Sequence, residues 1–258
     1  MIASLLAPGE CRVWWATPGH RSVETLSAVL SDPELERAAR FRRDPDRRRF
    51  LTGAWLLRNA AATQLGVRPE DVVVDRSCSD CTRHHGKPYI RMSGRRLHVS
   101  VSHSGDRVAV ALTGVGALGV DVEAVPSEPV DDLARCALTS HELRALDALP
   151  PIERYEAFAR VWTRKEAALK ATGHGLRVSP GKLEVSGPEE APELLSWPLE
   201  IPPRDIRFVD LDPGDGYVAV VALIAGDQHV HVVESLVAGQ PVAAAGPPPL
   251  RERVLQAA

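Results

Sequence analysis

Short apolar stretches and helical periodicities take turns along this chain, and their order gives the first outline of its architecture. Cys11 to Ala16, apolar and carrying Trp14 and Trp15, predicts an opening strand. A helical stretch follows from about Ser22. Ser31-Asp32-Pro33-Glu34 then marks a helix start in which Asp32 would cap and Pro33 take the first helical position. From Arg47 to Leu65 the residues Phe50, Leu51, Ala54, Leu57 and Ala61 recur at helical spacing, and Gly66 closes the segment. Val72-Val73-Val74 is a strand candidate, and Arg76 to Pro88 has the composition of a loop. Leu97–Ser102 alternates, Ser104-Gly105-Asp106 supplies a turn, and Arg107–Thr113 returns as a second strand, which predicts a hairpin. Leu118 to Glu123 is a further strand, with acidic residues at alternate positions.

The second half repeats the theme. Ser140 to Ala171 is helical, interrupted by Pro150-Pro151. Ile206–Leu211 and Tyr217–Ile224 predict an antiparallel pair joined through Asp212-Pro213-Gly214-Asp215-Gly216, and His229–Val233 would add an edge strand. Helix followed by strands, twice over, predicts an α/β (α+β) chain of two similar halves, 1–115 and 116–236. Residues 237–258, mostly Ala, Pro and Gly towards their start, predict a poorly ordered tail.

Composition narrows the function classes. With 258 residues, 44% hydrophobic and 25% charged, the chain can build a proper core. A net charge of −3 argues against a general polyanion binder, so no nucleic-acid partner is expected. No apolar run approaches the roughly 20 residues needed to cross a bilayer, and Met1-Ile2-Ala3-Ser4-Leu5-Leu6 lacks the basic lead of a signal peptide. The expectation is a cytoplasmic protein without a membrane partner. Its four cysteines, Cys11, Cys78, Cys81 and Cys136, are too few for a disulfide framework at this length. Of 31 basic residues only four are lysines, namely Lys87, Lys165, Lys170 and Lys182. Arginine is the default cation here, so each lysine asks what an ammonium does that a guanidinium cannot.

Several residue groups could carry chemistry. Asp121 and Glu123 stand at i and i+2 of a strand, facing the same side with Cα atoms about 6.5–7 Å apart. Paired carboxylates on a rigid strand suit Mg²⁺, although an edge strand with its acidic face in water is the plainer account of an isolated pair. In Trp162-Thr163-Arg164-Lys165-Glu166-Ala167-Ala168-Leu169-Lys170, Glu166 is i, i+4 to both Trp162 and Lys170; a surface ion pair is the plain reading of the latter. Gly86-Lys87-Pro88 presents a cation on a tight turn. Ser102-His103 ends a strand in groups that suit a phosphate, and adjacency on a strand argues against a Ser–His nucleophile. Arginines 37, 40, 42, 43, 47, 48 and 49 crowd one region. Cys78-x-x-Cys81 with His84 and His85 has zinc-ligand types, but no second pair at normal spacing, so metal-free thiols rank ahead of zinc.

Taken in order, Gly86-Lys87-Pro88, Ser102-His103-Ser104, Gly119-Val120-Asp121-Val122-Glu123 and the Trp162–Lys170 segment strongly resemble the Sfp-type 4′-phosphopantetheinyl transferases. That resemblance implies a monomeric pseudo-two-fold pair of α/β halves with the active site in the cleft between them. It implies transfer of 4′-phosphopantetheine from coenzyme A to a serine of an apo acyl or peptidyl carrier protein of fatty acid, polyketide or nonribosomal peptide assembly. Asp121, Glu123 and Glu166 match the positions that hold Mg²⁺. Glu166 and Lys170 match catalytic positions, Lys170 being also a coenzyme-binding one near the reacting phosphate, with Lys165 beside them at a second coenzyme-binding lysine. Gly86, Lys87, Pro88, Ser102 and His103 match coenzyme-binding segments, and Arg43, Arg47 and Arg49 fall where the 3′-phosphate is expected. Ser100 stands where many relatives have asparagine, and the Cys78/Cys81 loop is an embellishment. A Mg²⁺-dependent hydrolase of another phosphoanhydride, or a non-catalytic zinc and nucleic-acid module, are the competing readings.

Overall fold

The computed structural model describes residues 5–77, 86–92, 95–200, 206–237 and 252–255. The chain opens with β1 (Glu10–Ala16), α1 (Val23–Ser27), α2 (Asp32–Ala39) and α3 (Asp44–Leu65). Next come β2 (Val74–Asp75), β3 (Tyr89–Met92), β4 (Arg95–Ser104), β5 (Arg107–Thr113) and β6 (Ala117–Ala124). Then follow α4 (Asp131–Ala137), α5 (Ser140–Asp147), α6 (Pro151–Thr172), β7 (Glu184–Val185) and β8 (Leu194–Ser196). The order closes with β9 (Arg207–Asp210), β10 (Tyr217–Ile224), β11 (Val230–Leu236) and β12 (Glu252–Leu255). This is the mixed α/β class that the alternation predicts. Among the described residues no helix is long and apolar enough to cross a membrane.

Two units divide the chain. One comprises the residues up to Val115 together with those from His229 onward, and the other is Gly116–Gln228. The expected boundary at 236 therefore moves. β11 lies parallel to β1, with Glu10 opposite His231 and Trp15 opposite Leu236, and β12 pairs antiparallel on its other side. So β11 is no edge strand, and part of the supposed tail, Glu252–Leu255, is a strand; the rest of that tail lies outside the described residues.

In the first unit α3 packs on β1, β4 and β5. Leu51, Leu57, Ala60 and Ala61 of the helix share a core with Trp14, Val99, Val108, Val110 and Leu112 of the strands. The helix begins at Asp44, earlier than its apolar periodicity shows. Its first turn is Asp-Pro-Asp, which has no apolar face but suits a helix N-terminus through proline geometry and negative charge. Gly66, at φ 67°, ends it in the left-handed conformation. The cap of α2 is Ser31 rather than Asp32. Glu34 reaches back to accept from both the Ser31 N–H and its Oγ, each at 2.9 Å, which places Asp32 inside the first turn. Glu34 also receives buried Arg58 at 2.7 Å, tying α2 to α3. The hairpin β4–β5 turns through Gly105 at φ 53°, as its sequence predicts.

The second unit sets α6 against a three-stranded antiparallel sheet in the order β6-β10-β9. Phe158, Val161, Ala168 and Leu169 of α6 pack with Phe208, Val220 and Ala222 of the sheet. Gly119 is where strand and helix come closest. A Cβ placed there would lie 2.1 Å from the Ala167 carbonyl oxygen and 2.4 Å from the Ala171 nitrogen, so only glycine allows this approach. Each unit thus lays a 22-residue helix on a sheet, mixed in the first unit and antiparallel in the second.

Candidate active site

Period-two geometry puts Gly119, Asp121 and Glu123 on the face of β6 that meets α6, and sends Leu118, Val120 and Val122 to the other face. On α6, Trp162, Glu166 and Lys170 lie four residues apart on one stripe. The two rows run in opposite directions and pair across. Glu123 Oε1 accepts from Trp162 Nε1 at 3.2 Å, and Asp121 Oδ1 accepts from Lys170 Nζ at 2.6 Å. Glu166 sits midway along its stripe between these two cross-links. Trp162 is steadied by stacking on Phe158, ring centroids 6.3 Å apart.

The electrostatics follow from depth. Asp121 is only 1% exposed, so the reading of this strand as an acidic face in water does not hold for it. Burial draws the Lys170 ammonium towards neutrality, but contact with Asp121, aided by Glu166 and Glu123, more than offsets this and raises its pKa above the ordinary lysine value. Burial raises the Glu166 carboxyl above its ordinary range; Lys170 opposes the rise and Asp121 adds to it. Glu166 Oε1 is buried without a hydrogen-bond partner.

Among the described residues no three His, Cys, Asp or Glu side chains are gathered closely enough to hold a metal ion. The Asp121, Glu123 and Glu166 carboxyl groups occupy adjacent elements, but Lys170 engages the first and Trp162 the second. As a donor set they nonetheless fit a hard divalent cation. All are carboxylate oxygens, and the orphaned Glu166 oxygen lacks the partner that such an ion would provide.

Lys165 departs from expectation. Its side chain is fully buried, and its Nζ donates to Ala137 O at 2.9 Å, to Pro180 O at 3.0 Å and to Glu142 Oε2. Three donors on an ammonium meet three internal acceptors, so this lysine fastens α6 to α5 and the turn at 180 rather than binding a coenzyme. Glu142 is itself held by the Thr139 N–H at 2.7 Å and the Val185 N–H at 3.0 Å. The spacing Thr139-x-x-Glu142 announces that cap in the sequence, but its ion pair to Lys165 has no local sign. Lys165→Met should destabilise the fold by about 3–5 kcal/mol, because it strands a buried carboxylate. Urea denaturation of the variant beside the wild type measures this, and an unchanged midpoint would deny the pair its structural weight.

The remaining candidates belong to the first unit. Gly86 donates its N–H to Arg76 O at 2.8 Å, and a Cβ there would meet Ser77 O at 2.4 Å. Glycine is thus required at the turn that presents Lys87 and Pro88. Burial pushes the half-buried Lys87 ammonium down to about 8. Ser102 is buried and its neighbour His103 exposed, the opposite facing expected of adjacent strand residues. Arg49 donates to Gly105 O at 2.9 Å, so the start of α3 and the hairpin following Ser102-His103 meet at one end of the unit. Arg49 also pairs with Asp46, Arg47 lies 3.5 Å from Asp44, and Arg43 is the exposed cap residue of α3. Cys78, Cys81, His84 and His85, and with them the zinc question, lie outside the described residues.

Comparison with known proteins agrees with this division. Residues 13–114 match the model of the 4′-phosphopantetheinyl transferase N-terminal domain, and residues 117–222 match that of the 4′-phosphopantetheinyl transferase superfamily. The 4′-phosphopantetheinyl transferase HetI of Nostoc sp. is 33% identical over 205 residues, covering 78% of this chain and 81% of the relative. The 4′-phosphopantetheinyl transferase psf-1 of Bacillus pumilus is 28% identical over 215 residues, 83% of this chain and 88% of the relative. Part of the chain, 46%, superposes on 68% of Thermotoga maritima holo-[acyl-carrier-protein] synthase at a TM-score of 0.35 and 22% identity. With two family models abutting near residue 116 and a relative 33% identical over 81% of its length, the chain belongs to the 4′-phosphopantetheinyl transferase superfamily.

Proposed function

We propose that the protein, as a cytoplasmic monomer, transfers the 4′-phosphopantetheine arm of coenzyme A to a serine hydroxyl of an apo acyl or peptidyl carrier protein. Adenosine 3′,5′-bisphosphate leaves. The observation that carries this reading is the face shared by β6 and α6, where Asp121, Glu166 and Lys170 stand together in a member of this family. A divalent cation held by Asp121, Glu123 and Glu166, Mg²⁺ by the chemistry of the ligands, would bind the pyrophosphate and disperse charge on the departing oxygen.

The chain's own groups supply the rest. As the serine Oγ forms its bond to the β-phosphorus, its proton passes to Glu166, whose burial-raised pKa suits a proton acceptor. The bond from that phosphorus to the bridging oxygen breaks, and the bisphosphate carries the electron pair away. Lys170 remains an ammonium, and its N–H groups offset the negative charge of the leaving phosphate. Lys87, Ser102, His103, Arg43, Arg47 and Arg49 are proposed to bind the coenzyme's phosphates, with Gly86 and Pro88 shaping the turn under Lys87.

The test is direct. The protein is incubated with coenzyme A, Mg²⁺ and an apo carrier protein, and the carrier is weighed by mass spectrometry. A gain of one phosphopantetheine is expected. Coenzyme A breakdown with an unmodified carrier would point instead to a hydrolase, and an unaltered mixture would remove the proposal.

A further inference from the structure

Asp121 is 2% exposed along its side chain, with Lys170 Nζ 2.6 Å from its Oδ1. A carboxylate so far from water is costly without a cation beside it, and the ammonium fills that need. It does so on a carboxylate that the proposed function gives to a divalent cation. A metal ion bonded to that oxygen would stand within a few ångströms of the ammonium, where poor screening makes two positive charges costly. Both cannot keep the same oxygen. The Lys170 side chain is 27% exposed, and it springs from the last turn of α6 on a flexible four-carbon stem. It can therefore move off Asp121 without disturbing the helix, towards the solvent that its stem already reaches.

We infer that Lys170 is a placeholder cation: it neutralises Asp121 in the metal-free protein, competes with the divalent ion for that carboxylate, and is displaced when the ion binds. This rests on the proposed divalent-cation reading. Loading the metal and freeing an ammonium for the substrate's phosphates then become one event. A protein without its metal keeps the charge that would otherwise attract phosphate tied to Asp121.

The test titrates Mn²⁺ into the wild type, Lys170→Met and Lys170→Arg without coenzyme A, following free Mn²⁺ by electron paramagnetic resonance. Lys170→Met keeps the length of the stem and removes the charge, so it should bind Mn²⁺ at least about tenfold more tightly. Lys170→Arg keeps a cation and should stay close to the wild type. Thermal unfolding gives a second readout, in which Mn²⁺ should raise the midpoint of Lys170→Met by more than that of the wild type. Equal or weaker binding by Lys170→Met would overturn the placeholder and leave the metal reading intact. Failure of all three proteins to bind Mn²⁺, with or without coenzyme A, would overturn the metal reading and the placeholder with it.

Discussion

Glu166→Gln should slow transfer by about 100-fold or more while leaving the fold as stable as the wild type. Glutamine keeps the shape of the side chain midway between Trp162 and Lys170 but can neither accept the serine proton nor offer a charged oxygen to a metal. Stability should hold because the folded protein already disfavours the charge: burial raises the Glu166 pKa, so a neutral amide relieves a cost instead of adding one. Rates of carrier mass gain and thermal unfolding, measured side by side, separate these two effects. Near-wild-type turnover would strip Glu166 of both assigned tasks.

Gly119→Ala should be damaging for a different reason. The added carbon would sit 2.1 Å from Ala167 O, 2.4 Å from Ala171 N and 2.7 Å from Lys170 Cβ, whereas ordinary contact begins near 3.4 Å. Two of these neighbours are helix backbone, which cannot rotate aside, so β6 and α6 must separate by roughly an ångström. Overpacking of this kind costs about 3 kcal/mol or more when nothing flexible can yield. The same movement draws Asp121 from Lys170 and Glu123 from Trp162, so transfer should fall even at temperatures where the variant stays folded. Urea denaturation and the carrier assay report the two losses. A variant as stable and active as the wild type would show that strand and helix do not depend on this approach.

The residues differ in how openly the sequence announces their places. Strands such as Leu97–Ser102 and Leu118–Glu123 alternate within themselves, and period two is enough to find them, while Tyr217–Ile224 shows as a continuous apolar run. The neighbour of β11 is not legible in that way, since a parallel partner more than 200 residues upstream leaves no local trace. The site divides similarly. The spacings of Asp121 with Glu123, and of Trp162, Glu166 and Lys170, each define a face by themselves. What brings those faces together is Gly119, whose necessity depends on a helix 48 residues later in the chain, at Ala167. Lys165 stands out in the sequence as one of few lysines, yet five helical positions turn it about 140° away from Lys170. That rotation carries it to Glu142 and away from the carboxylates of β6.

The return of the last strands to β1 also orders events during synthesis. Gly116–Gln228 is one unbroken stretch, so its helix and sheet can assemble as soon as they leave the ribosome. The other unit is split around it, and β1 waits for β11, which is made more than 200 residues later. Until then one side of β1 is a bare edge of backbone donors and acceptors beside Trp14 and Trp15, open to pairing with other nascent chains. A chain cut short ahead of His229 would keep that exposed edge for good.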